Sequence, residues 1–332
     1  MTDLGLPSIP PRRDLSMGDG LAFAAHGHHF TAALGTSIEA LTQRAEAPLS
    51  VITQVTKRCD FDCTFCSETF QLPDPTLKQL ETIRDNLKGT KRIFLSGGEP
   101  LMRKDFGDIV DMYADENFVL AVPTNATHGL QHAKRIAGKI AFANIGLEGP
   151  RGITNRVRGD YDKVMPGVRA LLDAGIPISL SAVVYRSTLA ALPFTVQIAD
   201  VLNAGKVKLI MPLRKGNALN LAKHEFITDD EANEAFGRLT ELRATMQWSP
   251  AIRLTTWTPE NEGHMIVVEP NGKTNAWPVY DQKDLLLPIG NMLEEPIQEI
   301  WKRYPYKENH FRKYLGTSIR TAAHSGGGNA AA

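Results

Sequence analysis

The chain has 332 residues, 42% hydrophobic and 22% charged, and its 37 basic and 37 acidic side chains cancel to a formal net charge of zero. That composition is ordinary for a globular protein, and the absence of a basic block removes the electrostatic footprint that nucleic-acid binding needs. No apolar run approaches the roughly 20 residues that cross a bilayer, and the N-terminus "MTDLGLPSIPPRRD" has no charged-then-apolar signal pattern, so neither nucleic acid nor membrane is an expected partner.

Residues 1–48 read as an irregular arm, Pro-rich in "LPSIPPRR", followed by one helix. "HGHHF" (26–30) gathers three histidines without partner spacing, which favours a solvated loop or a substrate-side contact over a metal cluster. From residue 49 strands and helices alternate. "PLSVITQV" reads as a strand. "DPTLKQLETIRDNLKG" reads as a helix capped by Asp74, with Leu77, Leu80, Ile83 and Leu87 at helical spacing and Gly89 as its stop. "RIFL", "FVLAVP", "AFANIGL", "PISLSAVV" and "KVKLIMPL" are the next strands, separated by helices such as "DFGDIVDMYADE" and "YDKVMPGVRALLDAG". Strands this short, apolar on both faces and rich in Val, Ile and Leu, belong in a parallel sheet covered by helices. Six βα units are too few for a closed eight-stranded barrel, so an open doubly wound sheet or a partial barrel is expected.

After residue 222 the pattern changes. "TDDEANEAFGRLTELRATM" is an amphipathic helix, "HMIVVEPNGKTNAWP" a hairpin around Asn271-Gly272, and "EEPIQEIWKRY" a helix. The expected division is an arm and helix (1–48), an α/β partial barrel (49–222), a small α+β C-terminal cap (223–316) and a disordered low-complexity tail (317–332).

The only three cysteines, Cys59, Cys63 and Cys66, lie in the loop after the first of these strands, at C-x3-C-x2-C spacing. Ligands of parallel α/β folds bind at the carboxyl ends of the strands, and thiolates are the usual ligands of iron–sulfur clusters. Three thiolates leave one iron of a four-iron cluster open to a substrate. A zinc site of three cysteines and one histidine is the competing reading, although zinc motifs more often carry paired C-x2-C knuckles. Clustered cysteines in odd number do not build a disulfide framework, so a reducing, cytoplasmic setting is expected.

"CDFDCTFC", with Phe65 in the aromatic position, and "SGGEP" after the second strand resemble the radical S-adenosylmethionine (radical SAM) enzymes. The resemblance implies a partial (β/α)6 barrel, one [4Fe-4S] cluster on Cys59, Cys63 and Cys66, and S-adenosylmethionine (SAM) as the second cofactor. It implies that Gly97, Gly98, Glu99 and Pro100 form the turn at the SAM amino group, with Glu99 in contact. Thr124 and Asn125 of "PTNAT" fall near the ribose or methionine. The segment "NIGLEGP…NRVRGDYDKV" is similar to the subgroup of molybdenum-cofactor protein A and the SPASM maturases, in which Arg158 is the candidate for the SAM carboxylate. Relatives often read Ser-Leu-Asp-Gly where this chain has Gly146-Leu147-Glu148-Gly149, so a serine hydroxyl is missing and Glu148 is left to face the substrate. The region "VVEPNGKTNAWPVYDQKDLLLPIGNMLEEPIQEIW" is similar to SPASM and twitch domains but has "NAWP" where a cysteine is usual, so no auxiliary cluster can be built from cysteines.

The implied activity is reductive cleavage of SAM to a 5′-deoxyadenosyl radical that abstracts hydrogen, fed by an electron donor such as flavodoxin or ferredoxin. Without an auxiliary cluster or a spare thiol, simple dehydrogenation and epimerisation are disfavoured. Decarboxylation, elimination, rearrangement and radical addition remain. At the barrel mouth Glu148, Tyr185, Arg186, Arg214 and Lys215 are candidate substrate contacts, with Arg214 and Lys215 suited to an anionic group. Trp257 and Trp277 are candidates for stacking on a base or sugar. The expected substrate is a small polar sugar- or nucleoside-type metabolite of natural-product biosynthesis, most sharply a nucleoside uronic acid undergoing decarboxylation. A peptide maturase is the second enzymatic reading, and a non-catalytic iron–sulfur or zinc sensor is the alternative of another class.

Overall fold

A computed structural model describes residues 15–18, 21–24, 29–32, 37–68, 70–116 and 118–315. The tail expected at 317–332, with His26 and His28, lies outside these residues.

The arm is more ordered than its sequence suggests. Strands β1 (Leu15–Gly18), β2 (Leu21–Ala24) and β3 (His29–Ala32) form an antiparallel sheet, and α1 (Ile38–Arg44) follows. Phe23 and Phe30 bury their rings between this sheet and the main body, edge to face at 5.5 Å. The irregular arm is therefore corrected to a three-stranded sheet plus a helix.

The α/β rhythm then begins. Its strands are β4 (Ser50–Thr56), β5 (Arg92–Gly97), β6 (Val119–Thr124), β7 (Phe142–Gly146), β8 (Ile178–Val183) and β9 (Lys206–Ile210). Between them run α2 (Leu77–Asn86), α3 (Phe106–Ala114), α4 (Gly129–Ile136), α5 (Arg151–Val157), α6 (Tyr161–Asp173) and α7 (Leu192–Val201). The helices pack as their periodicity predicts: α6 buries Val164, Val168, Leu171 and Leu172. Helix α2 starts later than expected. Thr76 caps it in a reciprocal box with Gln79, Leu77 is exposed, and Asp74 instead takes hydrogen bonds from Thr56 and Arg58.

The C-terminal third adds strands at both sides of the sheet. Helix α8 (Asp229–Thr245) leads to β10 (Ala251–Thr255), which pairs parallel with β9 and adds a seventh βα unit. Strand β11 (Met265–Val268) pairs parallel with β4 at the opposite side. Then β12 (Lys273–Trp277) and β13 (Leu287–Asn291) continue antiparallel, after the turn at Asn271-Gly272. The result is one ten-stranded sheet, ordered β10-β9-β8-β7-β6-β5-β4-β11-β12-β13 and parallel from β10 to β11. Helices α9 (Ile297–Arg303) and α10 (Lys307–Leu315) close the chain. His310 of α10 accepts hydrogen bonds from the Leu49 and Ser50 amides, which sets this helix at the N-terminal end of β4. No helix among the described residues is long and apolar enough to cross a membrane.

Candidate active site

The loop from Lys57 to Glu68 leaves the C-terminal end of β4, and neighbours fix it on both flanks. Thr64 donates its amide to Val157 O at 2.9 Å. Asn217, in the segment after β9, donates its amide to Cys66 O and its side chain to Cys63 O at 3.0 Å and Asp62 at 2.6 Å. Gly216, at φ +59°, leaves room for the Cys66 carbonyl, which a Cβ would strike. Cys59, Cys63 and Cys66 consequently line one cavity of about 500 Å³.

Opposite them stands the turn after β5. Gly97, at φ +152°, and Gly98 run close against the Thr56 and Arg58 carbonyls, where side chains do not fit. Their backbone forms part of the cavity wall. The side chain of Glu99 turns away from it. Its carboxylate is fully buried and accepts from the Leu101 amide at 2.9 Å, Thr124 Oγ1 at 2.6 Å and the Asn125 amide at 2.6 Å. Burial pushes this carboxyl up to about 7 against those three donors. Pro100 is likewise buried outside the lining. Glu99 thus ties the β5 turn to the end of β6 through these three hydrogen bonds. Thr124 and Asn125 do line the cavity, and Asn125 Nδ2 donates to Asp60 at 2.7 Å.

Arg158 and Phe65 complete one wall, with the guanidinium 5.0 Å from the ring centroid. Arg158 makes a bidentate pair with Glu148, Nε to Oε2 at 2.5 Å and Nη2 to Oε1 at 2.6 Å. Burial opposes the Arg158 charge, yet the Glu148 carboxylate holds its pKa above the ordinary value. A Cβ at Gly146 would run into this guanidinium, so the glycine in place of the relatives' serine is the space that Arg158 occupies. Glu148 is fully buried, with both carboxylate oxygens on Arg158, and is not among the residues lining the cavity.

The other mouth residues scatter. Tyr185 is buried behind the cysteine loop, its hydroxyl 3.3 Å from Thr64 Oγ1. Arg186 pairs with Glu231 at 2.8 Å on the outside. Arg214 stacks over Phe226 at 4.0 Å, and Lys215 lies 3.6 Å from Glu68; neither lines the cavity. Trp257 and Trp277 meet edge to face at 5.2 Å in a second, deeper chamber. Sequence reasoning passed over Lys57 and Glu68, an ion pair in the cavity wall, because a lone lysine and glutamate in a polar loop carry no spacing signal.

The donor set fits an iron–sulfur cluster with one open iron. Three thiols share one cavity, and among the described residues no histidine lines it to complete a zinc site. The thiols are not closed into a metal cage, since no group of three His, Cys, Asp or Glu among the described residues stands at ligand geometry. Burial pushes Cys59 up to about 11 and Cys63 up to about 12, so ligation there must release protons.

The model of the radical SAM superfamily matches residues 53–190, the segment that carries the three cysteines, Gly97-Gly98 and Arg158. Over residues 53–190 the chain is similar to the radical SAM superfamily. Among curated relatives, a GTP 3′,8-cyclase of Rhizobium leguminosarum bv. trifolii is 30% identical over 217 residues, covering 58% of this chain and 57% of that protein. The chain therefore spans under two thirds of that relative. A PqqA peptide cyclase of Granulibacter bethesdensis is 23% identical over 82% of this chain and 77% of its own. Streptococcus suis SuiB bound to its precursor peptide SuiA shares the fold, with a TM-score of 0.67 at 13% identity over 81% of this chain and 69% of SuiB. The anSMEcpe structure with bound AdoMet and a peptide superposes with a TM-score of 0.63 at 14% identity, over 81% of this chain and 84% of that one.

Proposed function

We propose that this protein is a radical SAM enzyme acting on a small polar, anionic sugar- or nucleoside-type metabolite. The observation that carries the reading is the convergence of Cys59, Cys63 and Cys66 on one cavity with the Gly97-Gly98 backbone and Arg158. In this reading the three thiolates hold one [4Fe-4S] cluster. Gly97, Gly98, Thr124, Asn125 and Arg158 surround SAM, with Phe65 fixing the Arg158 plane. When bound, the cluster and SAM supply a carbon radical that abstracts hydrogen from an unactivated C–H bond.

The chain's own residues orient the reactants and shield them. Glu148 keeps Arg158 charged and aimed, and Glu99 locks the β5 turn to β6 so that the Gly97-Gly98 backbone holds its place. The chain has no cysteine beyond the three, so it provides neither ligands for an auxiliary cluster nor a thiol for hydrogen return. Decarboxylation, elimination or C–C coupling suits such a site, a nucleoside uronic acid decarboxylase being the sharpest form. The electron donor is a small reductant protein such as flavodoxin or ferredoxin, in a reducing, cytoplasmic setting. The nucleotide named in the GTP 3′,8-cyclase relative supports the nucleoside side of the reading. A peptide substrate is the second reading, favoured by the longer coverage of the PqqA peptide cyclase.

Anaerobically reconstituted protein should hold about four irons per chain. With a strong one-electron reductant it should form 5′-deoxyadenosine and methionine from SAM, and Cys63→Ala should abolish this. Zinc without iron, or a loaded cluster that never cleaves SAM with any candidate substrate, would favour the sensor alternative.

A further inference from the structure

The two ends of the cysteine loop meet on one carboxylate. Glu68 Oε2 accepts from Lys57 Nζ, and from Gln54 Nε2 at 3.2 Å. Its other oxygen, Oε1, faces Lys215 Nζ at 3.6 Å, beyond hydrogen-bond distance. Among the described residues no other acid pairs with either lysine, so one negative charge serves two ammonium groups. The Lys57 side chain is only 2% exposed, with its Nζ over the Phe70 ring at 4.3 Å. Lys215 comes from the segment after β9, and its Nζ is buried without a hydrogen-bond partner.

Only part of this triad reaches the cysteine-lined cavity. Lys57 and Glu68 line it, and Lys215 does not. The other cation of the lining, Arg158, is paired with Glu148 and follows β7, set apart from β4 by β5 and β6 in the sheet. The other acid of the lining, Asp62, is exposed and accepts from Asn217 at 2.6 Å. A buried ammonium without an acceptor carries a desolvation cost. Lys215 recovers it by closing on Glu68 Oε1. With that second partner in place, Lys57 can turn its flexible stem into the cavity without stranding the Glu68 charge. One new negative charge there matches two cations with two anions. A carboxylate supplies one such charge, whereas a phosphate monoester brings close to two.

We propose that Lys57 is the substrate's anion contact: its ammonium leaves Glu68 for a substrate carboxylate in the cavity, and Lys215 takes its place on Glu68. The proposal rests on the radical SAM reading of this cavity. It moves the contact with the anion from Arg214 and Lys215 to Lys57, and makes Lys215 and Glu68 positioning residues.

The test is calorimetric titration of the full-length, cluster-loaded protein with SAM present and no reductant. The probes are uridine 5′-carboxylate, glucuronate, the carboxamide of each, and uridine 5′-monophosphate. Wild type should bind at least one carboxylate tighter than its carboxamide by about tenfold or more, and tighter than the monophosphate. Lys57→Met should abolish that preference and leave carboxamide binding unchanged, and Lys57→Arg should restore part of it. Lys215→Met should weaken carboxylate binding, because Lys57 then stays on Glu68. Glu68→Gln should tighten it, because Lys57 is released. A mere staple of the loop predicts the opposite for Glu68→Gln, with loss of bound iron and of binding as in Lys57→Met, and that result overturns the proposal. So does a wild type that prefers no carboxylate over its carboxamide or that binds the monophosphate tighter, a comparison that stands even if a variant misfolds. Uncoupled SAM cleavage by the reduced wild type, measured alongside, separates the two readings. Cleavage without carboxylate preference discards the Lys57 contact alone, and carboxylate preference without cleavage discards the enzymatic reading alone.

Discussion

Glu148 is a carboxylate at a strand end, a place from which it would be expected to meet substrate, and Arg158 takes up both its oxygens instead. The two residues are ten positions apart, and only the bend through α5 brings them together. Gly146 belongs to the same arrangement, because its missing side chain is what admits the guanidinium. Each of the three is ambiguous alone in the sequence, and the glycine in particular reads as a lost function. Removing one partner of a buried pair strands the other, at a cost of about 3–5 kcal/mol. Glu148→Gln should therefore destabilise the protein by roughly that amount in urea denaturation and weaken SAM binding. Stability within about 0.5 kcal/mol of wild type would show that the pair does not hold Arg158. The cysteines sit at the other extreme of legibility. Their identity and spacing within eight positions carry the chemistry, and the fold had only to supply the cavity.

Helix α10 illustrates the scale of the element. Its sequence "KENHFRKYL" has a weak pattern and was not singled out, since a nine-residue helix carrying four basic or histidine side chains reads as surface. Packing decides otherwise: His310, Phe311, Lys313 and Tyr314 are all buried. His310 Nε2 accepts from the Leu49 amide at 2.9 Å while Nδ1 donates to His264 O at 2.9 Å, so the ring is neutral and joins β4, the start of β11 and α10. Burial pushes its pKa down to about 3, with Arg92 and Lys313 adding repulsion. A depressed folded-state pKa means that the stabilisation is fully present above the ordinary histidine value and is lost as pH falls toward 3. Between about pH 6.5 and 5 one such site removes about 2 kcal/mol. Urea unfolding at pH 7 and pH 5 should show wild type losing that much more than His310→Gln. Equal losses in the two proteins would mean that His310 is not held neutral. The strands were legible for the opposite reason. β4 buries six of its seven residues, and its β-branched Val51, Ile52, Thr53, Val55 and Thr56 mark it as a strand. The lysines of β9 follow a period of two that marks one face, but the sequence does not say that this face looks inward.

At the scale of the molecule, the ten strands make a single sheet with β10 and β13 at its edges. Amide exchange should be slowest in β4 to β8, which have strand neighbours on both sides, and faster in β10 and β13. Exchange measured by mass spectrometry would contradict a single sheet if β11–β13 opened together as an independent unit while β4 stayed closed. The sequence by itself determined what local chemistry determines: thiol ligands at fixed spacing, glycines where backbones must touch, and the alternation of apolar strands and helices from residue 49. Those features depend on neighbours a few positions away, so they survive in one dimension. Tertiary structure alone decided that a hairpin read as part of a cap would join the sheet beside β4, that an apparent strand-end acid would neutralise an arginine, and that lysines following β4 and β9 would meet on the Glu68 carboxylate. Those outcomes depend on strand order and on which face turns inward, and both are fixed by the burial of apolar surface across the whole chain.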